Sequence, residues 1–363
     1  MNSLPKVDVN LFVYNGERTI GTAIESILAQ SWPNLGVTII DDGSTDGTKN
    51  IIASFIQRYP YIQTKRIRTN AGAVAGFQAA FGHGDADFVM PKSTDDLLAP
   101  DFVEKTMSVM LAYPDTAMCH AAGLAFSDQA DVRALYPSAH CLQATGADPV
   151  KRARDVMERY TSSPSFWGVF RRDAVDCLAR IRYRAGWDHA LLAELALYGE
   201  IRHVAEPLYW RRDGGKPVLQ LARAATERGG RRLDIDDPIT EPHWCMPLTT
   251  TVLAHLETFA VARVIPEQRE VLWRAATDVL RARWLPAMRR EAATLRGMIP
   301  AILESAAAGS SHGRAWMLRN LIDLLQAAQL VLPEEDFAAS IRNIERFRSG
   351  DCRSGDCRVV EAA

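Results

Sequence analysis

The feature that most constrains the fold of this chain is an alternation through its first 90 residues of β-rich apolar runs with apolar residues at helical spacing. Residues 7–14 (VDVNLFVY) read as a strand that enters the turn Asn15-Gly16, followed by Ile20, Ala23, Ile24, Ile27 and Leu28 on one helical face. The pattern repeats with a short strand at 37–40, the polar turn DDGSTDGT, and a helix over 49–59 that lines up Ile51, Ile52, Phe55 and Ile56. A strand near 63–68, a helix around 72–82 and a strand at 87–90 continue it. Such alternation predicts an α/β fold: a Rossmann-like mixed, mostly parallel sheet with helices on both faces, its ligand crevice at the carboxyl ends of the strands.

From about residue 240 the strand signal stops. Arg/Ala/Leu-rich helical patterns follow at about 249–263, 267–293, 295–308, 313–331 and 334–348, punctuated by Gly309-Ser310-Ser311 and Leu332-Pro333. The expected organisation is an α/β domain over 1–238, an all-helical C-terminal domain over 239–349 and a flexible tail over 350–363. A length of 363 residues accommodates both domains. The helical part is expected to form its own core and to support homodimerisation; gripping the acceptor or resting on a membrane surface are the alternatives.

Charge and composition exclude several classes of function. Lys+Arg 42 against Asp+Glu 44 leaves a formal charge of −2, with no global excess to draw the chain onto nucleic acid. No apolar run approaches the roughly 18 residues of a membrane span, and MNSLPKVDVN has no signal-like apolar region. The expectation is a cytoplasmic protein, with peripheral contact at the inner face of the membrane left open. The six scattered cysteines read as reduced thiols, Cys352 and Cys357 in the tail included.

Chemistry concentrates at two strand ends. Asp41-Asp42-Gly43-Ser44-Thr45-Asp46 closes the strand at 37–40, and adjacent carboxylates there need a cation, a sugar hydroxyl or a base N–H to offset their repulsion. Ser44 and Asp46 read as helix caps and Gly43 as a positive-φ turn residue, whereas Asp42 reads as a ligand. Ser93-Thr94-Asp95-Asp96 follows the strand at 87–90, and hard oxygen ligands so placed suit Mg²⁺ or Mn²⁺, which take one or two carboxylates and complete their shell with phosphate and water. The alternative for either carboxylate is capping the helix that starts near Pro100.

The string VYNGERTIGTAIESILAQSWPNLGVTIIDDGSTDGT, then Asn70-Ala71-Gly72, then STDDLLAPDFVEK resembles the nucleotide-sugar-binding half of inverting family 2 glycosyltransferases with the GT-A fold, over about residues 5–215. The resemblance implies that Phe12, Val13, Tyr14, Glu17 and Asp42 hold the nucleotide, with Asn70 and Gly72 beside them. It implies that Asp95 faces the ribose or sugar, shares the metal site, and that Asp96 holds the cation bridging the donor diphosphate. Two departures stand out: Ser93 replaces the first carboxylate of an Asp-x-Asp-Asp motif, and Phe77-Gln78 replaces the Arg-Asn of the segment after Asn70.

Gly186-Trp187-Asp188-His189 and the later Glu206-Pro207-Leu208-Tyr209-Trp210-Arg211-Arg212 resemble the family's Glu-Asp segment and return strand, with Trp187 in place of the Glu. Inversion needs a carboxylate to take the acceptor's proton, and the family register makes Asp188 that base; from its position alone, helix capping is the alternative. His189 lies about 100° around a helix from Asp188 and reads as a neighbour or acceptor contact. Residues 151–232 hold 17 basic and 10 acidic residues, a local net of +7, with Arg211, Arg212 and Lys216 nearest the expected donor site. Trp167 and Trp187 are candidates to stack on an acceptor sugar, with core burial the alternative. The function expected is transfer from a nucleotide diphosphate sugar, UDP-linked in preference to GDP- or dTDP-linked, to a glycan, lipid-linked or protein acceptor. A sugar-nucleotide-binding or scaffold protein without turnover is the competing expectation.

Overall fold

The first predicted strand forms as β1 (Val7–Val13), and its residues divide between two environments with the period of two that a strand imposes. Val7, Val9, Leu11 and Val13 enter an apolar core with Ile20, Ile24 and Ile27 of α1 (Ile20–Leu28), each buried isoleucine contributing roughly 1.5–3 kcal/mol. Asp8 and Asn10 alternate with them and are also buried. The Asn10 amide donates to the carbonyls of Ala80 (2.7 Å) and His83 (2.9 Å), and Asp8 accepts from the Ala86 N–H at 3.0 Å. Asn10 thereby ties the strand to the end of the third helix, satisfying carbonyls that a helix terminus leaves open, and Asp8 holds the backbone just beyond it. The structure is a computed structural model and describes residues 4–126, 132–135, 141–160, 163–179, 185–212, 246–308 and 311–349.

The alternation continues as β2 (Leu35–Asp41), α2 (Thr48–Arg58), β3 (Gln63–Arg66), α3 (Ala73–Phe81), β4 (Phe88–Ser93), β5 (Leu97–Leu98), α4 (Phe102–Ala112) and β6 (Thr116–Phe126). Beyond these come β7 (Val132–Leu135), α5 (Pro149–Arg159), β8 (Gly168–Arg171), α6 (Arg172–Val175), α7 (Trp187–Tyr198) and β9 (Glu200–Arg212). The sheet order is β3-β2-β1-β4-β8-β6-β9-β5, with β7 paired to β6. β1 pairs in parallel with β2 on one side, Val13 opposite Asp41, and with β4 on the other, Phe12 opposite Ser93. The chain therefore reverses its direction of travel across the sheet between β1 and β4. In open α/β sheets this switch point opens the ligand crevice, and here acidic turns stand at both neighbouring strand ends.

Among the described residues four helices follow: α8 (Pro247–Val261), α9 (Pro266–Ala308), α10 (Ser311–Val331) and α11 (Ala338–Ser349). The two helices expected at 267–293 and 295–308 are one helix of 43 residues, with Pro286 and Pro300 inside it. Each proline removes a backbone donor. A stripe of buried residues (Leu272, Ala276, Leu280, Met288, Leu295, Ile299, Ile302 and Leu303) offsets this and keeps the helix continuous. Glu334 pairs with Arg281 (2.7 Å) and Arg289 (2.9 Å), and Glu335 with Arg296 (2.8 Å), fastening the turn before α11 along α9. No helix of the described residues is long and apolar enough to cross a membrane.

The chain divides into two compact units, each made of several segments. One comprises Met1–Arg182, Leu191–Gly214 and Val261–Gln268, the other Tyr183–Ala190, Gly215–Ala260 and Arg269–Ala363. The first turn of α7 belongs to the second unit and its remainder to the first. Among the described residues, boundaries fall within α7, α8 and α9. The expected tail over 350–363, Lys216, Cys352 and Cys357 lie outside the described residues.

Candidate functional site

The turn after β2 is held by its own polar residues. Asp41 accepts from the Ser44 N–H at 2.8 Å and pairs with Arg66 at 3.3 Å. Ser44 accepts from the Asn15 N–H at 3.0 Å and so ties this turn to the one after β1 instead of capping α2, while Asp46 accepts from the Thr48 N–H at 3.1 Å just before α2, whose N-cap position is Gly47. Gly43 has φ +78, and a Cβ there would come within 3.1 Å of the Thr69 and Asn70 backbone, so the turn needs glycine for both conformation and space. Asp42 is buried and accepts from the N–H groups of Ala71 (3.0 Å) and Gly72 (3.1 Å). Burial raises its pKa, with Asp41 adding to the rise and the two amide bonds opposing it. Asn70 accepts from the Gly72 N–H at 2.8 Å, so Asp42, Asn70 and Gly72 form one connected corner.

At the end of β1, Phe12 and Tyr14 are half-buried. Phe12 packs edge-on to Phe77 (6.2 Å between centroids) and against Trp167 (6.3 Å). Phe77 is fully buried in this aromatic cluster with Phe81 and Phe166. The position where the resemblance calls for an arginine is therefore core. Glu17 accepts from the Gly47 N–H at 3.0 Å and bridges the turns that follow β1 and β2.

The turn after β4 is the most heavily braced part of the crevice. Asp96 is buried, and its carboxylate accepts from the Tyr209 hydroxyl and from the Arg212 N–H at 2.9 Å. Tyr209 is itself fully buried, its pKa driven well above the usual phenol range by burial and by Asp96. Asp95 reaches the surface and accepts from the Thr19 hydroxyl at 3.3 Å, while its carbonyl accepts from the Arg212 Nε at 2.9 Å. Desolvation, and then the adjacent Asp96, raise the pKa of Asp95. Trp167 lies parallel to Tyr209, centroids 6.4 Å apart and planes 5° apart, which joins the aromatic cluster to the Asp96 brace.

Phe12, Tyr14, Glu17, Asp42, Asn70, Gly72, Asp95, Asp96, Trp167, Arg211 and Arg212 thus lie in the first unit, around the carboxyl ends of β1, β2 and β4. Trp187, Asp188 and His189 belong to the second unit. Asp188 is half-buried in the first turn of α7, where a carboxylate is favoured by the helix dipole. Gly186 has φ +78, and a Cβ there would come within 2.0 Å of the Thr251 hydroxyl oxygen, so the start of α7 seats against α8 only as glycine. His189, expected at the acceptor, turns inward: it is buried, its Nδ1 lies 2.9 Å from His255 Nε2, and its ring packs on Trp284. Burial keeps both histidines neutral at physiological pH, His255 with a pKa lowered to about 4. Trp187 is half-buried beside Asp188.

Sequence reasoning missed Tyr209 and Lys92. Tyr209 was legible only as part of a strand, and Lys92 fell beyond the predicted strand end at residue 90, although β4 continues to Ser93. Among the described residues no group of three or more His, Cys, Asp or Glu forms a metal-binding cluster. The protein can still offer the carboxylates of one turn. That fits Mg²⁺ or Mn²⁺ better than an ion needing a complete protein shell.

Parallel strands that carry an Asp-Asp turn on each side of β1, continued by a mixed sheet and a helical C-terminal region, define an α/β fold of the GT-A class. Residues 9–176 match the family described as Glycosyl transferase family 2. Through this segment the chain is similar to the family 2 glycosyltransferases. EpsE of Bacillus subtilis (strain 168) is 39% identical over 114 residues, 30% of this chain and 40% of that protein. YibD of Escherichia coli (strain K12) is 28% identical over 192 residues, 52% of this chain and 55% of that protein. The chain spans about half the length of the curated relatives it matches, and both are named as glycosyltransferases. The crystal structure of S. aureus TarS 1-349 in complex with UDP-GlcNAc matches with a TM-score of 0.55 at 15% identity, over 95% of this chain and 92% of that chain, a likeness of fold.

Proposed function

We propose that this chain transfers a sugar from a UDP-linked donor to a hydroxyl of a glycan, lipid-linked or protein acceptor, inverting the anomeric centre. The observation that carries the reading is the pair of Asp-Asp turns flanking β1 at the switch point of the sheet. About two strand spacings, or about 10 Å, separate the ends of β2 and β4, a span suited to a nucleoside at one turn and its diphosphate at the other. A UDP donor is supported by the TarS structure of similar fold, which holds UDP-GlcNAc.

In this reading Phe12, Tyr14 and the Asp42 corner receive the nucleoside, and Asp96, with Asp95 beside it, would hold Mn²⁺ or Mg²⁺. When bound, the ion offsets the charge that develops on the departing diphosphate. Arg211 and Arg212 add cationic charge from β9. Asp188 takes the proton of the acceptor hydroxyl, and Trp167 and Trp187 offer flat apolar faces to the acceptor.

The test is calorimetry of UDP, GDP, dTDP and their sugars, with and without Mn²⁺, on the wild type and on Asp96→Ala. Selective, metal-dependent UDP binding that Asp96→Ala abolishes is expected; absence of binding to every nucleotide sinks the reading. Asp188→Asn should keep donor affinity while transfer falls by about 100-fold or more, the scale of a lost general base. Wild-type binding with neither transfer nor donor hydrolysis would favour the competing reading of a sugar-nucleotide-binding protein without turnover.

A further inference from the structure

Lys92 stands on β4 opposite Leu11 and is fully buried, the only lysine among the described residues that is. Burying an ammonium is costly unless it is hydrogen-bonded and faced by opposite charge, and an apolar side chain of the same length would fill the space without that cost. What the ammonium holds is specific. It donates to the carbonyl of Ser93 and to the carbonyl of Asp96, both at 2.6 Å, and lies 5.8 Å from the centre of the Tyr209 ring. One cation therefore grips both ends of the turn on which Asp95 and Asp96 stand. Tyr209 and the Arg212 N–H hold the Asp96 carboxylate, and the Arg212 Nε holds the Asp95 carbonyl. Arg212 thus serves both backbone and carboxylate, while Lys92 joins the carbonyls at the two ends of the turn.

We propose that Lys92 is a positioning residue of the donor site: it acts through the backbone of residues 93–96 to present Asp95 and Asp96 to a cation-bound diphosphate. The proposal rests on the donor-site reading above. It distinguishes Lys92 from a residue that merely completes the core, because the two roles separate on removal of the charge.

The experiment compares the full-length wild type with Lys92→Met, which keeps length and apolar bulk, and Lys92→Gln, which keeps an N–H donor for one carbonyl. Melting temperature, uridine affinity, and UDP affinity with Mn²⁺ are measured for each. A positioning role predicts that Lys92→Met melts at or above the wild-type temperature, binds uridine within twofold of wild type and loses tenfold or more in UDP–Mn²⁺ affinity. Lys92→Gln should fall between. Unchanged UDP–Mn²⁺ affinity in Lys92→Met overturns the proposal. So does a parallel loss for uridine and UDP, or failure of both variants to fold, each of which assigns Lys92 to the core. Failure of the wild type to bind any nucleotide removes the donor-site reading itself, and is seen before any variant is compared.

Discussion

Tyr209 and Asp96 show how a single contact separates the readable part of the site from the rest. The Asp-Asp pair at 95–96 is visible in the sequence because two adjacent carboxylates after an apolar run are unusual chemistry. The hydroxyl that holds Asp96 comes from 113 residues further along the chain, and nothing in the spacing announces it. A hydrogen bond to a charged group contributes about 1.5–3 kcal/mol, so Tyr209→Phe should weaken UDP–Mn²⁺ binding by about tenfold or more. Calorimetry of the variant with and without Mn²⁺ checks this, and an affinity equal to that of the wild type would show that Arg212 alone suffices. His189 makes the complementary point. Its distance from Asp188 around the helix was predictable, but its burial against His255 and Trp284 depends on two helices remote in sequence.

At the scale of elements, the strand and helix periods read from the first 100 residues match the observed β1, α1, β2, α2, β3, α3 and β4 to within a few residues. Local periodicity suffices there because the helices and inner strands are buried; β3, exposed throughout, is placed by its pairing with β2. The helical region resisted the same reading because α9 carries two prolines and a low-contrast Arg/Ala pattern, and packing along its length decides its continuity. Within α7, Glu194 is buried and accepts from the Ala179 N–H at 3.0 Å, and burial raises its pKa to about 7 from 4.5. A raised carboxylate pKa contributes stability that is complete below the unfolded value near 4.5. That contribution is lost as pH rises towards 7, at a rate of at most about 1.4 kcal/mol per pH unit. Glu194→Gln keeps an acceptor for Ala179 but removes the proton equilibrium. Its advantage over the wild type in unfolding free energy should therefore grow from pH 5 to pH 7.5. Urea titrations at a series of pH values measure it, and a constant difference would contradict the assignment.

For the whole molecule, each compact unit carries buried histidine that folding keeps neutral. In the first unit His120 is fully buried with its pKa lowered to about 4, and in the second His255 is lowered to the same value beside His189. A folded pKa below the unfolded 6.5 gives stability that is complete above pH 6.5. It is lost as pH falls towards 4, the opposite sign to Glu194. In the first unit the gain from Glu194 opposes this loss, so the histidine contribution is read by difference in the second. Thermal melts at pH 7.5, 6.0 and 5.0 should show a shallower acid loss in His255→Gln than in the wild type; parallel pH dependences of the two would refute the prediction. The sequence by itself determined the elements, their α/β alternation and the placing of acidic turns after the second and fourth strands, because those follow from periods of two and 3.6 and from local turn chemistry. Only the tertiary structure decided which side chains brace those turns, that Lys92 and Phe77 lie inside, and where one unit gives way to the other. Burial and hydrogen-bond partners are set by residues far apart in the chain, and no local pattern encodes their meeting.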